Sequence, residues 1–281
     1  MKRIYMIVAA LVVAMTGYAQ NDSTRITQDS TRTGSDTLVV GNFIIIKKNR
    51  DYDTRKITVE KRPYTPTKLK TNWFIFDLGF ANINDKTNYA STEAQSFLRT
   101  IRPGDKEVTK DDLKLRSSKS SNVNIWVVMQ RLNVAKGYVN LKYGLGLEMF
   151  NFRYESNISY HKNPVYIFRD TVNFTKNKLY AAYATVPFML NINTNPGHKG
   201  LTFSAGVSAG YLIGSDNKQI SGERGKVKTK GDLGLEKFRL AYIGELGIGP
   251  IHLYGTYSIH RLHETGLDQY PYSIGIRFSN F

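Results

Sequence analysis

Hydrophobic and polar residues alternate with a period of two in eight stretches after residue 72. A period of two is typical of β-strands, because successive side chains of a strand point to opposite faces. Each stretch therefore predicts a strand with one apolar face. The eight apolar sets are Phe74, Phe76, Leu78, Phe80; Val123, Ile125, Val127, Met129; Leu141, Tyr143, Leu145, Leu147, Met149; Tyr180, Ala182, Ala184, Val186, Phe188, Leu190; Leu201, Phe203, Ala205, Val207, Ala209, Tyr211; Phe238, Leu240, Tyr242, Gly244, Leu246, Ile248; Ile251, Leu253, Gly255, Tyr257, Ile259; and Tyr272, Ile274, Ile276, Phe278.

Charged residues avoid the apolar parity of these strands, although 22% of the chain is Asp, Glu, Lys or Arg. A lipid-facing Lys or Arg at the bilayer midplane costs about 2–4 kcal/mol, so this segregation indicates that the apolar face meets lipid. A closed barrel also leaves no unpaired strand edge in hydrocarbon. We therefore predict an all-β protein, an eight-stranded antiparallel up-and-down transmembrane β-barrel over residues 72–281 with an N-terminal periplasmic extension.

The connections between the predicted strands alternate between short and long. Residues 133–137, 193–200 and 249–250 are short and turn-like, whereas residues 84–120, 156–177, 215–232 and 263–269 are longer. Barrels of the outer membrane have short periplasmic turns and longer extracellular loops. We therefore expect both termini on the periplasmic side, and one short helix at residues 92–98 of the first long loop.

The residues before the barrel predict secretion and a separate arm. Residues 1–20 have a basic start, an apolar core and small residues near Ala19 and Gln20, which is the pattern of a cleaved signal peptide. Residues 21–36 are polar and predicted to be disordered. Residues 37–48 and 55–62 are rich in β-formers and predicted to pair as a hairpin. We expect the arm, residues 21–71, to bind an envelope protein partner through residues 37–62; the alternative is a plug or lid of the barrel.

Composition excludes several classes of protein. The chain has 18 Tyr and 14 Phe but a mean hydropathy of −0.36, which excludes a helical membrane protein and fits a barrel. A formal charge of +16 would suit a nucleic-acid-binding protein. The signal peptide argues against that partner, and we predict no nucleic acid. The absence of Cys excludes a disulfide framework, a thiolate metal site, a catalytic thiol and a lipoprotein anchor.

Six charged residues fall on the inward parity of the predicted barrel. Eight strands enclose a space just wide enough for side chains, so these charges must pair with one another. We predict a structural charge network, with gating or ligand contact as the alternative. Its members are Asp77, Lys142, Glu148, Arg239, Glu245 and Arg277.

Candidate chemistry is weak elsewhere. Ser258 and His260, with Glu264 nearby, could form an acyl-transfer site acting on lipid A, but parity turns the pair inward, away from acyl chains. His252, His260 and His263 have poor spacing for a metal, and we assign them to wet rim positions. We predict no catalytic residue, cofactor or metal.

One predicted loop, residues 215–232, is strongly basic. Its cations would either contact lipopolysaccharide phosphates or form a solvated face. The basic residues are Lys218, Arg224, Lys226, Lys228 and Lys230.

Three motifs resemble the PorT-like outer membrane β-barrel family: WFIFDLGFAN at 73–82, TVPFML at 185–190 and SIGIRF at 273–278. The resemblance implies an outer-membrane barrel of a Gram-negative cell, in a family whose founding type is linked to a protein secretion system. It supplies no catalytic residue. One departure concerns Phe281, which shares the parity of Arg277 rather than that of the apolar residues before it. Either the last strand ends near Phe278 or a bulge resets its register.

These observations predict a non-enzymatic outer-membrane protein with a structural or accessory role in the cell envelope, with a possible link to protein secretion implied by the family. Its expected partners are outer-membrane lipids and lipopolysaccharide, an envelope protein, and the barrel-insertion machinery during assembly. A narrow solute channel is the first alternative, and a lipid A-modifying acyl hydrolase is the second.

Overall fold

The computed structural model of the protein describes residues 35–40, 43–50, 54–61, 66–196, 200–279 and 281. The predicted signal peptide and most of the predicted disordered segment lie outside the described residues. The chain divides into two units, residues Met1–Pro63 and Tyr64–Phe281.

The first unit contains a three-stranded antiparallel sheet of β1 (Ser35–Val40), β2 (Phe43–Arg50) and β3 (Thr54–Lys61), in the order β1-β2-β3. The predicted hairpin is present between β2 and β3, where Arg50 pairs with Thr54. Residues 37–48 differ from the prediction, because they contribute to two strands, β1 and β2, that pair with each other. The prediction of disorder for residues 21–36 is wrong for Ser35 and Asp36, which belong to β1.

The second unit is built on a ring of eight strands. They follow one another in chain order, each pair of neighbours is antiparallel, and pairing of the last strand with the first closes the ring. The predicted eight-stranded antiparallel barrel is confirmed. The strands are β4 (Leu69–Asp85), β5 (Ser121–Ala135), β6 (Val139–Arg153), β9 (Phe174–Asn193), β10 (Leu201–Ser221), β12 (Phe238–Ile248), β13 (Ile251–Ser258) and β14 (Gln269–Phe278).

The apolar parity of the ring faces outward, as predicted. Phe80 is 61% exposed and Ile248 is 65% exposed, whereas the alternate residues Ala81 and Gly247 lie on the inward side. An uninterrupted apolar outer surface of this kind suits lipid. We call it the apolar belt; its largest exposed residues include Phe76, Leu78, Phe80, Leu145, Val186, Phe188, Leu190, Phe203, Val207, Tyr211, Phe238, Tyr242, Leu246, Ile248, Leu253, Tyr272, Ile274, Ile276 and Phe278.

The prediction is wrong for one residue of the apolar face, Met129. The register between β5 and β6 shifts between Trp126 and Val128, so Val127 is exposed and Met129 is fully buried. A β-bulge inserts one residue and turns the following side chains to the other face of the strand. On the neighbouring strand, Phe74 has φ of +52° and is also exposed.

The connections alternate in length around the ring, as predicted. Residues 136–138, 194–200 and 249–250 form the short set, at what we call the turn end. The long set, at the loop end, comprises residues 86–120, 154–173, 222–237 and 259–268. The prediction of a loop at residues 215–232 is wrong for most of that range. Strand β10 continues to Ser221 and pairs with β11 (Gly225–Lys230) in a hairpin.

The loop end is closed by an apolar core. The helix α1 (Thr92–Phe97) lies at the predicted place, and its N-terminus is capped by Ser91, whose Oγ accepts a hydrogen bond from Ala94 N at 3.2 Å. Beside it lies the hairpin of β7 (Ile158–His161) and β8 (Tyr166–Arg169), joined to Leu98 by a bridge at Ile167. We call these elements and the adjoining loops the cap. Its buried side chains pack on inward residues of the barrel: Phe97, Leu98, Leu113, Ile158, Ile167, Leu233, Leu235, Leu262 and Leu267 meet Phe150, Phe152, Leu179 and Tyr183.

Among the described residues, no helix is long and apolar enough to cross a membrane.

Candidate functional site in the barrel lumen

The structure brings all six predicted lumen charges into the barrel interior. Each lies on the inward parity of its strand, and the most exposed of them, Glu245, is only 6% exposed. Three are carboxylates and three are cations, so the charges of the set balance. A buried ion is tolerated only when it is paired and hydrogen-bonded, which makes the contacts within the set decisive.

Four of the six charges form one continuous cluster around Arg277. In the register of β14 with β4, Arg277 lies opposite Asp77. The guanidinium donates from Nε to Asp77 Oδ1 at 2.7 Å and from Nη2 to Asp77 Oδ2 at 2.6 Å. Its third nitrogen, Nη1, donates to Glu245, and Lys142 Nζ donates to the other oxygen of the same carboxylate. Arg277 therefore joins the first and last strands of the ring to β12, and Lys142 extends the cluster to β6.

The other two charges, Glu148 and Arg239, form a separate pair nearer the cap. Arg239 Nη1 donates to Glu148 Oε2 at 2.8 Å, and Thr185 Oγ1 donates to the same oxygen at 3.0 Å. The guanidinium carbon of Arg239 lies 4.8 Å from the centroid of the Phe150 ring, a residue of the apolar core. The pair thus lies where the polar half of the lumen meets the apolar half.

Neutral side chains complete the hydrogen bonding of Asp77. Trp126 Nε1 donates to Asp77 Oδ2 at 2.7 Å and Asn124 Nδ2 donates to it at 3.0 Å. Asn124 accepts from Asn122, which accepts in turn from Tyr254 Oη at 2.7 Å. We did not predict these four partners as site residues. Their signal was present, however, because all four lie on the inward parity of their strands.

Gly79 makes room for this polar chain. It lies opposite Gly275 in the β4–β14 register. A methyl group on Gly79 would lie 2.5 Å from the carbonyl oxygen of Ile274 and 2.6 Å from Tyr254 Oη. Both distances are too short for contact between nonbonded atoms. A residue without Cβ is therefore needed where the tyrosine crosses the closing pair of strands.

The carboxy-terminal residue lies over the turn end of the lumen. Strand β14 ends at Phe278, which is the first of the two alternatives that the parity of Phe281 left open. The Phe281 ring is 5.2 Å from Lys142 Nζ and 5.6 Å from the guanidinium carbon of Arg131. It also packs on the small apolar cluster formed by Ile75, Trp126, Met129, Met189 and Ile243. The last aromatic residue therefore packs inward rather than joining the apolar belt.

Two of the three histidines assigned to wet rim positions, His252 and His263, are buried instead. His252 is 1% exposed in the lumen, with Nδ1 3.7 Å from Glu245 Oε2. His263 is fully buried in the cap, where Nε2 shares a hydrogen bond of 3.1 Å with Tyr160 Oη. Burial lowers the pKa of His263 to about 3, so this imidazole is neutral at ordinary pH. Tyr160 Oη also shares a hydrogen bond of 2.8 Å with Tyr154 Oη. Burial raises the pKa of both tyrosines.

The candidate acyl-transfer pair is not assembled. Strand β13 ends at Ser258, whose side chain is buried, whereas His260 follows the strand end and is exposed. The Nδ1 of His260 lies 2.9 Å from the backbone oxygen of Phe238. The prediction that both side chains point inward is therefore wrong for His260. Across the described ranges, no group of three or more His, Cys, Asp and Glu side chains could hold a metal ion.

A closed ring of eight strands with an apolar outer belt and a polar, charge-balanced interior defines an eight-stranded antiparallel transmembrane β-barrel. Its interior is filled with side chains from Phe281 at the turn end, through the charge network, to the apolar core under the cap.

No protein-family model matches the sequence, and no curated protein matches it. Among solved structures, the chain is similar to the crystal structure of Ail, the attachment invasion locus protein of Yersinia pestis, at 12% identity and a TM-score of 0.26. The match covers 74% of this chain and 98% of Ail. At that score the likeness carries no argument, and the fold class rests on the strand pairing of the chain itself.

The separate pair of Glu148 and Arg239 gives a test of the lumen's electrostatics. We expect Arg239→Met to lower the free energy of unfolding by about 3–5 kcal/mol, because it leaves the Glu148 carboxylate buried without its cation. Adding Glu148→Gln should recover most of this loss, since the glutamine carries no charge and still accepts from Thr185. The measurement is urea unfolding of the protein in lipid vesicles.

The matched control is Lys237→Met, which removes an exposed cation 3.6 Å from Glu264 on the surface next to Arg239. Its effect should stay below about 1 kcal/mol. A double variant that is as unstable as Arg239→Met alone would contradict the paired network.

Proposed function

We propose that the protein is a non-enzymatic barrel of the outer membrane with a structural or accessory role in the cell envelope. The observation that carries this proposal is the filled lumen. Side chains occupy the interior from the turn end to the cap, and the charges among them are matched in buried contacts of 2.6–2.8 Å. A barrel with such an interior works through its outer surface and its two ends rather than through a pore.

The filled lumen argues against the solute channel. Eight strands leave an interior only wide enough for side chains, and a water-filled channel is typical of much larger barrels. Here inward positions carry large groups, among them Trp126, Tyr254 and Arg277, all of them buried. An ion crossing this lumen would have to break contacts between buried charges, which is costly.

The outer-membrane location is supported by the predicted signal peptide and by the apolar belt together. A secreted chain with a lipid-facing barrel is inserted by the barrel-assembly machinery of a Gram-negative cell. The resemblance of three strand motifs to PorT-like proteins adds a link to protein secretion. Within that framework, the short turns face the periplasm and the cap faces the outside.

The small sheet of residues 35–61 supports a second part of the proposal, a partner-binding arm. Its strand order leaves β1 and β3 at the two edges of the sheet. An edge strand presents unpaired backbone groups to which a strand of another protein can pair. We propose that the arm binds an envelope protein in this way.

The lumen proposal is tested by conductance. The protein should give no stepwise current in planar lipid bilayers, because buried charged and aromatic side chains occupy its interior. A porin inserted in the same bilayers is the positive control. Reproducible current steps from the purified barrel would contradict the accessory role and favour the channel.

The arm proposal is tested by photo-crosslinking in intact cells. A photoreactive amino acid in place of Val39, on the edge strand β1, should give a discrete adduct with a second envelope protein. The same substitution at Asn195, an exposed position of the turn end, is the matched control. Crosslinks from Val39 that form only within the chain would contradict the arm and favour a plug.

A further inference from the structure

Strands β9, β10 and β11 extend beyond the apolar belt at the loop end and form a basic outer face. In their register, Lys218 of β10 pairs with Lys178 of β9 on one side and with Lys228 of β11 on the other. Lys178 pairs further with Arg153 at the end of β6. Four neighbouring strands therefore place four cations in a single row.

The adjacent rows add three more lysines. Ile220 lies between Lys176 and Lys226, and Asp216 lies between Tyr180 and Lys230. The intervening residues of β9 and β10 are buried on the inner side, so the parity turns the cations outward. We call the set the lysine face; it consists of Arg153, Lys176, Lys178, Lys218, Lys226, Lys228 and Lys230, with Asp216 as the carboxylate in these rows.

The arrangement is unfavourable for the isolated protein. Like charges directly opposite each other on paired strands destabilise a sheet, whose strands lie only about 4.8 Å apart. The ammonium groups of Lys226 and Lys176 lower the pKa of Lys218, which lies past the belt and is partly exposed. Asp216 offsets part of the charge by binding Lys228 Nζ at 2.9 Å. In the described part of the chain, no carboxylate lies at ion-pair distance from Lys176, Lys218 or Lys226.

The height of the lysine face above the belt limits which lipid headgroups can reach it. The last exposed apolar residue of β10 is Ile213, close to the contact of the Tyr211 and Phe238 rings at 5.1 Å. Lys218 lies five residues further on, about 16 Å along the strand and about 13 Å above the belt at a usual barrel tilt. The headgroup layer of a phospholipid leaflet is only about 5–8 Å thick. The cations therefore lie above a phospholipid headgroup layer, at a height that only a larger headgroup reaches.

We propose that the lysine face binds the phosphorylated sugar headgroup of lipopolysaccharide in the outer leaflet. This inference rests on the proposed outer-membrane location. Lys is a compact point charge that suits phosphate, and charge-assisted hydrogen bonds to phosphate oxygens are among the strong ones. Bound phosphates also offset the repulsion between the paired lysines. The apolar belt directly below the face accommodates the acyl chains of the same molecule.

The structure changes the residues assigned to this site from the sequence. Arg224 belongs to the cap instead, because its guanidinium donates to both oxygens of Asp170 at 2.8 and 3.1 Å. Asp170 also accepts from Ser159 of β7, so this arginine anchors the β7–β8 hairpin. Lys176 and Lys178 join the face, although they lie on a different strand, because the register sets them beside Lys218.

The test measures binding to the purified, folded protein in a zwitterionic detergent, by native mass spectrometry. The probes are lipopolysaccharide without O-antigen, the same lipopolysaccharide after removal of its phosphates, phosphatidylglycerol, and inorganic phosphate as competitor. The variant is Lys176→Gln/Lys218→Gln/Lys226→Gln. We expect its Kd for intact lipopolysaccharide to rise at least tenfold, and removal of the phosphates to weaken wild-type binding to a similar extent.

The matched control is Lys106→Gln/Lys114→Gln/Lys119→Gln, which removes three cations from the first loop at the same end of the barrel. Its Kd should stay within twofold of wild type, and heat-modified gel migration verifies that each variant is folded. Equal losses in both triple variants would reduce the effect to net charge and overturn the proposal. Equal binding of phosphatidylglycerol, or full competition by inorganic phosphate, would also overturn it by showing a general anion site.

Because this binding is measured in detergent, it does not depend on where the protein lies in the cell. Its failure would leave the outer-membrane location and the filled lumen standing. The location is tested by labelling intact cells with a membrane-impermeant reagent, and the lumen by conductance in planar bilayers.

Discussion

The contact between Arg277 and Asp77 is the interaction on which the rest of the structure depends. It lies in the lumen at the seam where the last strand, β14, pairs with the first strand of the ring, β4. The two parallel hydrogen bonds of 2.6 and 2.7 Å satisfy a fully buried carboxylate. The same guanidinium binds Glu245 and lies 4.9 Å from the Trp126 ring. The side chain at the closing pair of strands is therefore also the centre of the lumen network.

The buried side chains of the lumen leave the outer surface and the two ends of the barrel as the surfaces on which our proposed function relies. The apolar belt meets lipid, and the two ends of the lumen are closed differently, by Phe281 at the turn end and by the cap at the loop end. Within the described part of the barrel unit, the outward side of the strand extension and the surface of the cap are open to other molecules. The lysine face lies on that extension, past the edge of the belt, at the height where we propose that it meets the headgroup of lipopolysaccharide.

Most of the fold could be predicted from the sequence because lipid and lumen impose opposite requirements on alternate residues. That period of two located all eight strands and the inward charges, and the lengths of the connections distinguished the two ends of the barrel. It failed at Met129, because a bulge at Val127 shifts the period by one residue and leaves no mark in composition. It also read residues 215–232 as a loop, since past the belt neither face of β10 and β11 meets lipid and the apolar signal disappears.

The contacts of the candidate sites were less predictable than their residues. Parity placed Asp77, Glu245 and Arg277 inside, but which partners meet depends on the shear of the ring, which no local pattern contains. Likewise, Lys218 was recognised as basic, whereas its neighbours Lys178 and Arg153 emerge only from strand register. Arg224 shows the reverse, a residue that reads as a loop cation but is bound to the buried Asp170.

Surface labelling of intact cells with a membrane-impermeant thiol reagent tests the central claim most directly. The chain has no native Cys, so a single Cys in place of Thr229, on β11 at the loop end, or of Asn195, at the turn end, is the only target. The account predicts labelling at Thr229 and none at Asn195. Labelling at Asn195 alone would invert the topology, and recovery of the protein as a soluble periplasmic species would contradict the membrane barrel itself.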